Sequence, residues 1–424
     1  MIINFIKEKL ELLLTLLKSK IYIVGGFVRE NLLGKFSKDI DFIMLDNDLE
    51  ILNNFSKLSR GVLINLDIER EIFRVTWKSN GVCFDFSFLK TSLKEDLLSR
   101  DLTINSIAIE LNIELINKID RKFSEELLID YSNGISHIKE KTIKLNSYDV
   151  IINDPLRLLR VFRFSSKLKF NIDKETLEYI SDLSYLIKKV SKERVIKEIT
   201  EIFSFQKTYK YINLMFETKL YQNIFESFSE NINKVIKTLR NIEIIIKKFK
   251  LEVENIYLIK LSILFIFKKI SQKELEIFLR NLKISYKELL FIINQKKYFD
   301  LIDINKIDIN NKVFLFYFFK ERKKILKESL IIYLSIFYNT KKYDTFQKLF
   351  DIYNKEKILY EQDKIIDGNI IKSNFPYIPN NKIGLVLEKI NLFQALKEVN
   401  NLNDAMNKIK VILAHPEGLE PPTN

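Results

Sequence analysis

Half of this 424-residue chain, from Leu156 to Asp367, contains neither glycine nor proline. Because these two residues supply most tight turns and interrupt helices, a segment that lacks both is hard to build as a sheet. Apolar residues within it recur at three- and four-residue steps, as at Leu177, Ile180 and Leu183. That spacing is the period of one buried face of an amphipathic helix. The sequence therefore predicts that the C-terminal two-thirds of the chain is all-α.

The N-terminal part has a different pattern, with six of the nine glycines in its first 134 residues. Short apolar or alternating runs predict strands at residues 21–24, 39–45, 73–77 and 82–88. The last two strands are joined through Asn80-Gly81, a dipeptide typical of hairpin turns. The predicted fold is therefore α+β, with a small mixed and mainly antiparallel sheet followed by helices.

Composition narrows the possible functions. The formal net charge of +13 suits a polyanion such as nucleic acid, although a Lys-, Ile- and Asn-rich composition would also follow from AT-rich coding. One cysteine and two histidines leave no disulfide framework and no Cys- or His-based metal cluster within the chain. Its longest apolar runs are too short to cross a bilayer, and charges interrupt the first 20 residues, so no membrane association and a cytoplasmic location are predicted.

The first motif combines Gly25-Gly26 after a strand, Arg29 on the following helix, and Asp39-Ile40-Asp41. Adjacent glycines let backbone amides approach a phosphate, and an arginine can bind the same phosphate through two N–H groups. Two aspartates separated by one residue on a strand point to the same face and offer the hard oxygen ligands that Mg²⁺ prefers. Either half alone could be a solvated turn, but their order and spacing favour a metal-dependent phosphate chemistry.

The second motif places Arg100 and Asp101 just before Asn105. A helix cap followed by a buried turn is one interpretation. In the other, the arginine binds phosphate and the aspartate accepts hydrogen bonds from ribose hydroxyls, which would separate ribonucleotides from deoxynucleotides.

The third motif begins with Asp154-Pro155, predicted to be the N-cap and the first residue of a helix that carries Arg157, Arg160 and Arg163 on one side. A solvated basic stripe is one interpretation. Alternatively, Asp154 and Arg157 read a base, because a carboxylate accepts from an amino group and a guanidinium donates to a ring nitrogen. Cytosine and adenine both present that pair of groups, whereas guanine and uracil present the reverse.

In this order the three motifs resemble the class II tRNA nucleotidyltransferase and poly(A) polymerase family. The resemblance extends to residues 130–134 and 191–195, and more loosely to residues 368–387. It implies a polymerase-β-like nucleotidyltransferase head and a helical neck, body and tail that hold the acceptor arm of tRNA. It further implies template-independent transfer of CMP and AMP from CTP and ATP to the 3′ end of tRNA, with Mg²⁺ as cofactor.

Matched position by position, the resemblance assigns catalysis and metal binding to Asp39 and Asp41. It assigns nucleotide binding to Gly25, Gly26, Arg29, Arg100, Asp101, Asn105, Asp154, Arg157, Arg160 and Arg163. The implied domains are a head at residues 1–135, a neck at 136–205, a body at 206–300, an RNA-binding tail at 301–411 and a disordered end at 412–424. Some relatives carry a histidine-aspartate phosphohydrolase domain, and two histidines are too few to build it here.

The sequence departs from the family pattern at three positions: Glu30 replaces a usual Asp, Ser99 a usual second Arg, and Asn153 a frequent Glu. Ser99 removes one phosphate contact and Asn153 loosens the orientation of Arg157, but neither touches the metal pair, so a working enzyme is predicted. Alternatives within the class are CC-only, A-only or poly(A) addition. Two alternatives outside this class are a small-molecule nucleotidyltransferase and a catalytically inactive RNA-binding protein. The sequence does not indicate an oligomeric state.

Overall fold

The structure is a computed structural model that describes residues 2–45, 48–225, 230–303, 306–356, 361 and 363–414. The chain divides into two compact units, residues 1–229 and 230–424. This division falls inside the segment predicted as the body, and the predicted domain boundaries stay a prediction. Residues 415–424 of the predicted disordered end lie outside the described residues. Within the described ranges, no helix is long and apolar enough to span a membrane.

A seven-stranded sheet organises the first unit. Its strands are β1 (Ile21–Val24), β2 (Asp39–Met44), β3 (Val62–Asp67), β4 (Ile72–Trp77), β5 (Val82–Phe88), β6 (Ile107–Glu110) and β7 (Leu128–Asp130), in the spatial order β3-β4-β5-β2-β1-β6-β7. Only the β2–β5 pair is parallel; the others are antiparallel. The predicted small, mainly antiparallel sheet and its β4–β5 hairpin are therefore confirmed.

Aromatic side chains fill one face of this sheet. On β5 the residues alternate, with Phe84 and Phe86 buried and Asp85 between them partly exposed. Phe42 from β2 and Phe55 from a neighbouring helix stack against these two rings at centroid distances of 5.0 and 6.1 Å. Because successive residues of a strand point to opposite faces, packing one face with rings leaves the other face to polar groups.

Helices surround the sheet and continue beyond it. They are α1 (Ile2–Leu16), α2 (Gly26–Leu32), α3 (Leu49–Ser59), α4 (Leu93–Ser99), α5 (Ile113–Asn117), α6 (Gly134–Lys139), α7 (Asp149–Asn153), α8 (Arg157–Leu168), α9 (Lys174–Leu183), α10 (Lys192–Ser204), α11 (Thr208–Glu217) and α12 (Leu220–Phe225). Short 3-10 turns occupy Thr103–Asn105, Glu125–Leu127 and Ser184–Lys189.

Two details of the helical prediction are wrong. Helix α8 begins at Arg157 rather than Pro155, because the Asp154 side chain accepts a hydrogen bond from the Leu156 amide and closes a turn there. The segment without glycine and proline is also not purely helical. It contains β9 (Asn171–Ile172), which pairs in parallel with β8 (Thr142–Ile143). A left-handed residue at Lys169 makes the turn into β9 without glycine.

The turn at residues 130–134 joins the sheet to α6. The Asp130 carboxylate accepts hydrogen bonds from the backbone amides of Ser132, Gly134 and Ile135 at 2.9–3.1 Å. Gly134 packs so closely that a Cβ atom there would collide with the carbonyl oxygen of Thr103. The glycine is therefore required for close packing against the segment that carries Asp101 and Asn105.

The second unit is helical throughout its described residues. Its helices are α13 (Ile232–Phe249), α14 (Ile256–Ile266), α15 (Gln272–Asn281), α16 (Tyr286–Leu301), α17 (Lys312–Arg322), α18 (Leu326–Ile336), α19 (Tyr343–Lys355), α20 (Gly368–Asn374), α21 (Asn380–Ala395) and α22 (Leu402–Ala414). Capping boxes at Ser271–Glu274 and Ser285–Glu288 start α15 and α16, so side chains take over from glycine and proline in setting helix ends. The predicted all-α region is confirmed apart from β9.

Candidate active site

The acidic face of the sheet lies opposite its aromatic core. Asp39 and Asp41 occupy alternate positions on β2, with Ile40 fully buried between them, so the two carboxylates share a face. Asp85 is the register partner of Asp41 on the parallel strand β5 and points the same way. Asp85 was not predicted as a site residue, because the pairing of β2 with a strand some 40 residues later is not apparent in either segment alone.

Gly25 makes room for the buried carboxylate. Its φ of +70° favours glycine, and a Cβ atom there would lie 3.2 Å from Asp41 Oδ2 and 3.4 Å from Arg100 Nη1. Burial raises the pKa of Asp41. Arg100 and the Gly26 amide oppose that effect, while the charges of Asp85 and Asp39 add to it. Burial is thus the main cause of the raised pKa, and Arg100 is the charge that acts most strongly on Asp41.

Arg74 on β4 is the counter-charge of Asp85. The two side chains form a bidentate ion pair, with Nε–Oδ1 at 2.6 Å and Nη2–Oδ2 at 2.7 Å. The hydrogen bond to Asp85 raises the pKa of Arg74 further. In this arrangement Asp85 is engaged by the arginine, and Asp39 and Asp41 are the carboxylates left to face a ligand.

Asp101 and Asn105 connect the arginines to the sheet. Asp101 Oδ2 accepts from Arg160 Nε at 2.6 Å, and Oδ1 accepts from the Asn105 side chain at 3.0 Å and from the Leu102 amide at 2.8 Å. The Asn105 oxygen in turn accepts from Arg29 Nη1. Burial by itself would raise the pKa of Asp101, but Arg160 and these hydrogen bonds lower it to about 2.

The other arginines of α8 are also held by specific partners. Arg157 donates from Nη1 to the carbonyl oxygen of Ser99 at 2.8 Å, and Arg163 donates from Nε to Glu198 on α10 at 2.6 Å. Burial lowers the pKa of Arg157, and the nearby Arg160 and Arg70 add to this, while Asp101 and Asp154 oppose it. The three α8 arginines are therefore fixed at different heights along one side of the helix.

Asp154 precedes α8 and is held by a residue of α10. Its Oδ2 accepts from Arg194 Nη2 of α10 at 2.9 Å, while Oδ1 accepts from the Leu156 amide at 3.2 Å. The segment 191–195 was singled out in the sequence, but no site role was predicted for Arg194. Its contact with Asp154 depends on how α8 and α10 pack, which the sequence does not reveal.

These side chains surround one cavity of about 560 Å³. Every predicted site residue lines it except Asp39, which lies on the same sheet face as Asp41. The lining also includes residues for which no site role was predicted, namely Arg70, Ile72, Leu156, Phe164, Lys167 and Arg194. A cavity of this size, lined by seven arginines and three aspartates, suits a small polyanion such as a nucleoside triphosphate.

A carboxylate pair on a mixed sheet, beside a glycine turn and facing a basic cavity, defines the head of a nucleotidyltransferase. Comparison with known proteins agrees. Residues 21–144 match the Poly A polymerase head domain, and residues 169–232 match the probable RNA and SrmB-binding site of polymerase A.

Two similar proteins are tRNA nucleotidyltransferases. The A-adding enzyme of Aquifex aeolicus is 30% identical over 235 residues, which are 51% of this chain and 27% of that protein. The CC-adding enzyme of Synechocystis is 32% identical over 188 residues, 44% of this chain and 42% of that protein. The matching segment thus spans less than half the length of either relative.

Among solved structures, the Thermotoga maritima CCA-adding enzyme in complex with tRNA has the same fold, with a TM-score of 0.70 at 21% identity over 93% of this chain and 91% of that one. Residues 21–144 and 169–232 are therefore similar to the tRNA nucleotidyltransferase and poly(A) polymerase family, and the fold of the chain is that of the Thermotoga enzyme.

Proposed function

We propose that this protein transfers CMP and AMP from CTP and ATP to the 3′ end of tRNA, and so adds or repairs the CCA end without a template. The observation that carries this proposal is the single cavity that joins Asp41 to the predicted base-reading pair, Asp154 and Arg157. Such a reaction on tRNA and nucleotides belongs in the cytoplasm, where cell fractionation is expected to find the protein.

In this reaction the 3′-hydroxyl oxygen of the RNA forms a bond to the α-phosphorus, and the bond from that phosphorus to pyrophosphate breaks. Arg29, Arg100, Arg160 and Arg163 are suited to hold the phosphates, because each presents guanidinium N–H groups toward the cavity it lines. Holding the triphosphate fixes the α-phosphorus for attack and stabilises the charge that develops on the leaving pyrophosphate.

The acidic face fits Mg²⁺. Asp39 and Asp41 offer hard oxygen ligands on one face of β2, and a divalent cation there would offset the cost of burying the charged Asp41 carboxylate. No three acidic, cysteine or histidine side chains converge as a metal cluster in the described part of the chain. This agrees with an ion whose remaining ligands are waters and phosphate oxygens. When bound there, Mg²⁺ would lower the pKa of the attacking hydroxyl and stabilise the leaving group.

Base selection would fall to Asp154 and Arg157. A carboxylate that accepts from the exocyclic amino group and a guanidinium that donates to the ring nitrogen match both cytosine and adenine. Their supports, Arg194 and the Ser99 carbonyl, hold the two groups in place in the absence of a base. Guanine and uracil would leave this polar pair unmatched, which disfavours their binding.

The number of nucleotides added is open to experiment, since similar proteins include both A-adding and CC-adding enzymes. Three tRNA transcripts, ending before CCA, after C and after CC, would receive labelled CTP, ATP or both with Mg²⁺. We expect all three to be completed to CCA. Extension that stops after CC, or that starts only from CC, would instead identify a partial enzyme.

Two variants control this experiment. Asp39→Asn should abolish transfer but keep tRNA binding, because it removes one proposed metal ligand and leaves every arginine and lysine of the protein in place. Asp154→Asn should keep transfer at a reduced rate and incorporate more GMP or UMP, because an amide no longer favours an amino donor. Transfer that survives Asp39→Asn would contradict the metal assignment, and a wild-type protein that binds no RNA would favour a small-molecule nucleotidyltransferase.

A further inference from the structure

Phe164 on α8 has an unusual environment for a core aromatic residue. It is only 6% exposed, yet it lines the cavity, and three guanidinium groups approach its ring. The distances from guanidinium carbon to ring centroid are 5.0 Å for Arg29, 5.4 Å for Arg160 and 4.3 Å for Arg163. All three lie within the range of about 6 Å at which a cation is attracted by the electron-rich face of a ring.

The hydrogen bonds of these arginines leave donors available. Arg160 and Arg163 each give only Nε to a carboxylate, at 2.6 Å, and within the described residues neither terminal nitrogen of these two side chains donates a hydrogen bond. Arg29 donates to Glu30 and Asn105. The terminal nitrogens of Arg160 and Arg163 can therefore bind an anion in the cavity.

An aromatic ring is suited to hold such a group of like charges. A carboxylate in its place would accept the N–H donors and cancel the positive charge, so less would remain for a ligand. The ring attracts the cations through its face, accepts none of their in-plane N–H donors and carries no net charge. An aliphatic residue of similar size would fill the space but would not offset the repulsion among the guanidinium groups.

We propose that Phe164 is a positioning residue that gathers Arg29, Arg160 and Arg163 into a binding site for the phosphate groups of the incoming nucleotide. This rests on the proposed function and names the part of the substrate that the three arginines hold. The ring acts through the arginines and does not itself contact the reacting atoms.

Stepwise fluorination of the ring tests this directly, because it weakens the negative face while changing the volume little. Phenylalanine, difluoro- and trifluorophenylalanine would be placed at residue 164 of the full chain by nonsense suppression. Calorimetry would then measure the affinity for pyrophosphate, which needs no catalysis and no RNA. We expect the affinity to fall with each step, by about threefold to tenfold over the series.

Phe162 provides the matched control. It lies on the same helix, is fully buried, and has no cation over its ring among the described residues. Fluorination there should leave pyrophosphate affinity unchanged. In extension assays the Phe164 series should raise KM for CTP more than it lowers kcat, and Phe164→Tyr should bind pyrophosphate far better than Phe164→Leu.

An affinity for pyrophosphate that stays constant across the Phe164 series, with unchanged melting temperature, would overturn the proposal and leave Phe164 a packing residue. A Phe164→Leu variant that binds pyrophosphate as tightly as the wild type would do the same. If affinity falls with fluorination but the wild type extends no tRNA, the positioning role stands and only the proposed function fails.

Discussion

Replacing Asp101 by Asn should lower the free energy of unfolding of the first unit by about 2–3 kcal/mol near neutral pH. The pKa of Asp101 is lowered from 3.8 to about 2 in the folded protein. Each unit of difference in pKa corresponds to about 1.4 kcal/mol, so the charged form is favoured by roughly 2–3 kcal/mol over the protonated form. Its side chain is only 7% exposed, so solvent screens its pairing with Arg160 weakly.

The sign of the pH dependence follows from the same shift. Because the folded pKa lies below the unfolded one, the stabilisation is complete above about pH 5 and is lost as the pH falls from roughly 4 toward 2. The difference in unfolding free energy between wild type and Asp101→Asn should therefore be constant from pH 5 to 7 and shrink below pH 4. Asn mimics the protonated acid, which carries no charge to offset Arg160.

Trp77, the only tryptophan of the chain, is a built-in reporter because it is buried in the first unit. Urea unfolding followed by its fluorescence at several pH values would measure the effect. Asp96→Asn is the control, since its pair with Arg100 is about a quarter exposed on both sides and should contribute less than about 1 kcal/mol. Equal stability of Asp101→Asn and wild type at pH 7, or a difference that does not change with pH, would refute this reasoning.

Three further outcomes are expected. Gly134→Ala should lower the melting temperature by several degrees, because the added Cβ atom would collide with the Thr103 backbone. Gly384→Ala lies in open space within α21 and should raise the free energy of unfolding by about 0.5–1 kcal/mol. Equal effects of the two substitutions in thermal melts would contradict the role of Gly134 in close packing. The rate of nucleotide transfer should fall at acid pH with a midpoint above the ordinary pKa of an aspartate, because burial raises the pKa of Asp41. A higher Mg²⁺ concentration should lower this midpoint, because the metal ion competes with the proton for the carboxylate. A midpoint that does not change with Mg²⁺ would exclude Asp41 as a metal ligand. The Arg74→Met variant should bind Mn²⁺ a few-fold more tightly in paramagnetic resonance titrations, because the Asp85 charge beside Asp39 and Asp41 would no longer be paired. An unchanged affinity would show that Asp85 is too far from the bound ion to affect it.

The parts of the fold that the sequence could predict are those encoded by local spacing. Helix periodicity and the Asn80-Gly81 turn depend on neighbours a few residues apart, and the structure agrees with both. The predicted site residues come from compact motifs, and the structure brings all of them except Asp39 to one cavity. Asp85 and Arg194 were missed because their roles depend on strand register and helix packing between segments about 40 residues apart. The sequence around a side chain does not show which distant residue it will contact.

The departures from the family pattern at positions 99 and 153 also depend on contacts that the sequence does not show. Ser99 and Asn153 were expected to weaken the nucleotide pocket through lost side chains. In the structure, however, Arg157 is oriented by the backbone carbonyl of Ser99, a contact that any residue at this position could make. Asp154 is anchored by Arg194 from another helix, so the orientation of Asp154 does not depend on an acidic residue at position 153.

Other basic residues of the cavity can replace the positive charge that an arginine at position 99 would have contributed. Arg70 and Lys167 line the same cavity, and Lys167 continues the basic side of α8 one turn beyond Arg163. A phosphate-binding cavity depends on the total positive potential and on a few well-held donors more than on one particular side chain. Restoring the family residue by Ser99→Arg should therefore change KM for CTP by less than about threefold, whereas Arg160→Met should raise it by more than about tenfold. Steady-state kinetics would measure KM for CTP in both variants. A large decrease in KM on Ser99→Arg would mean that Arg70 and Lys167 do not reach the substrate.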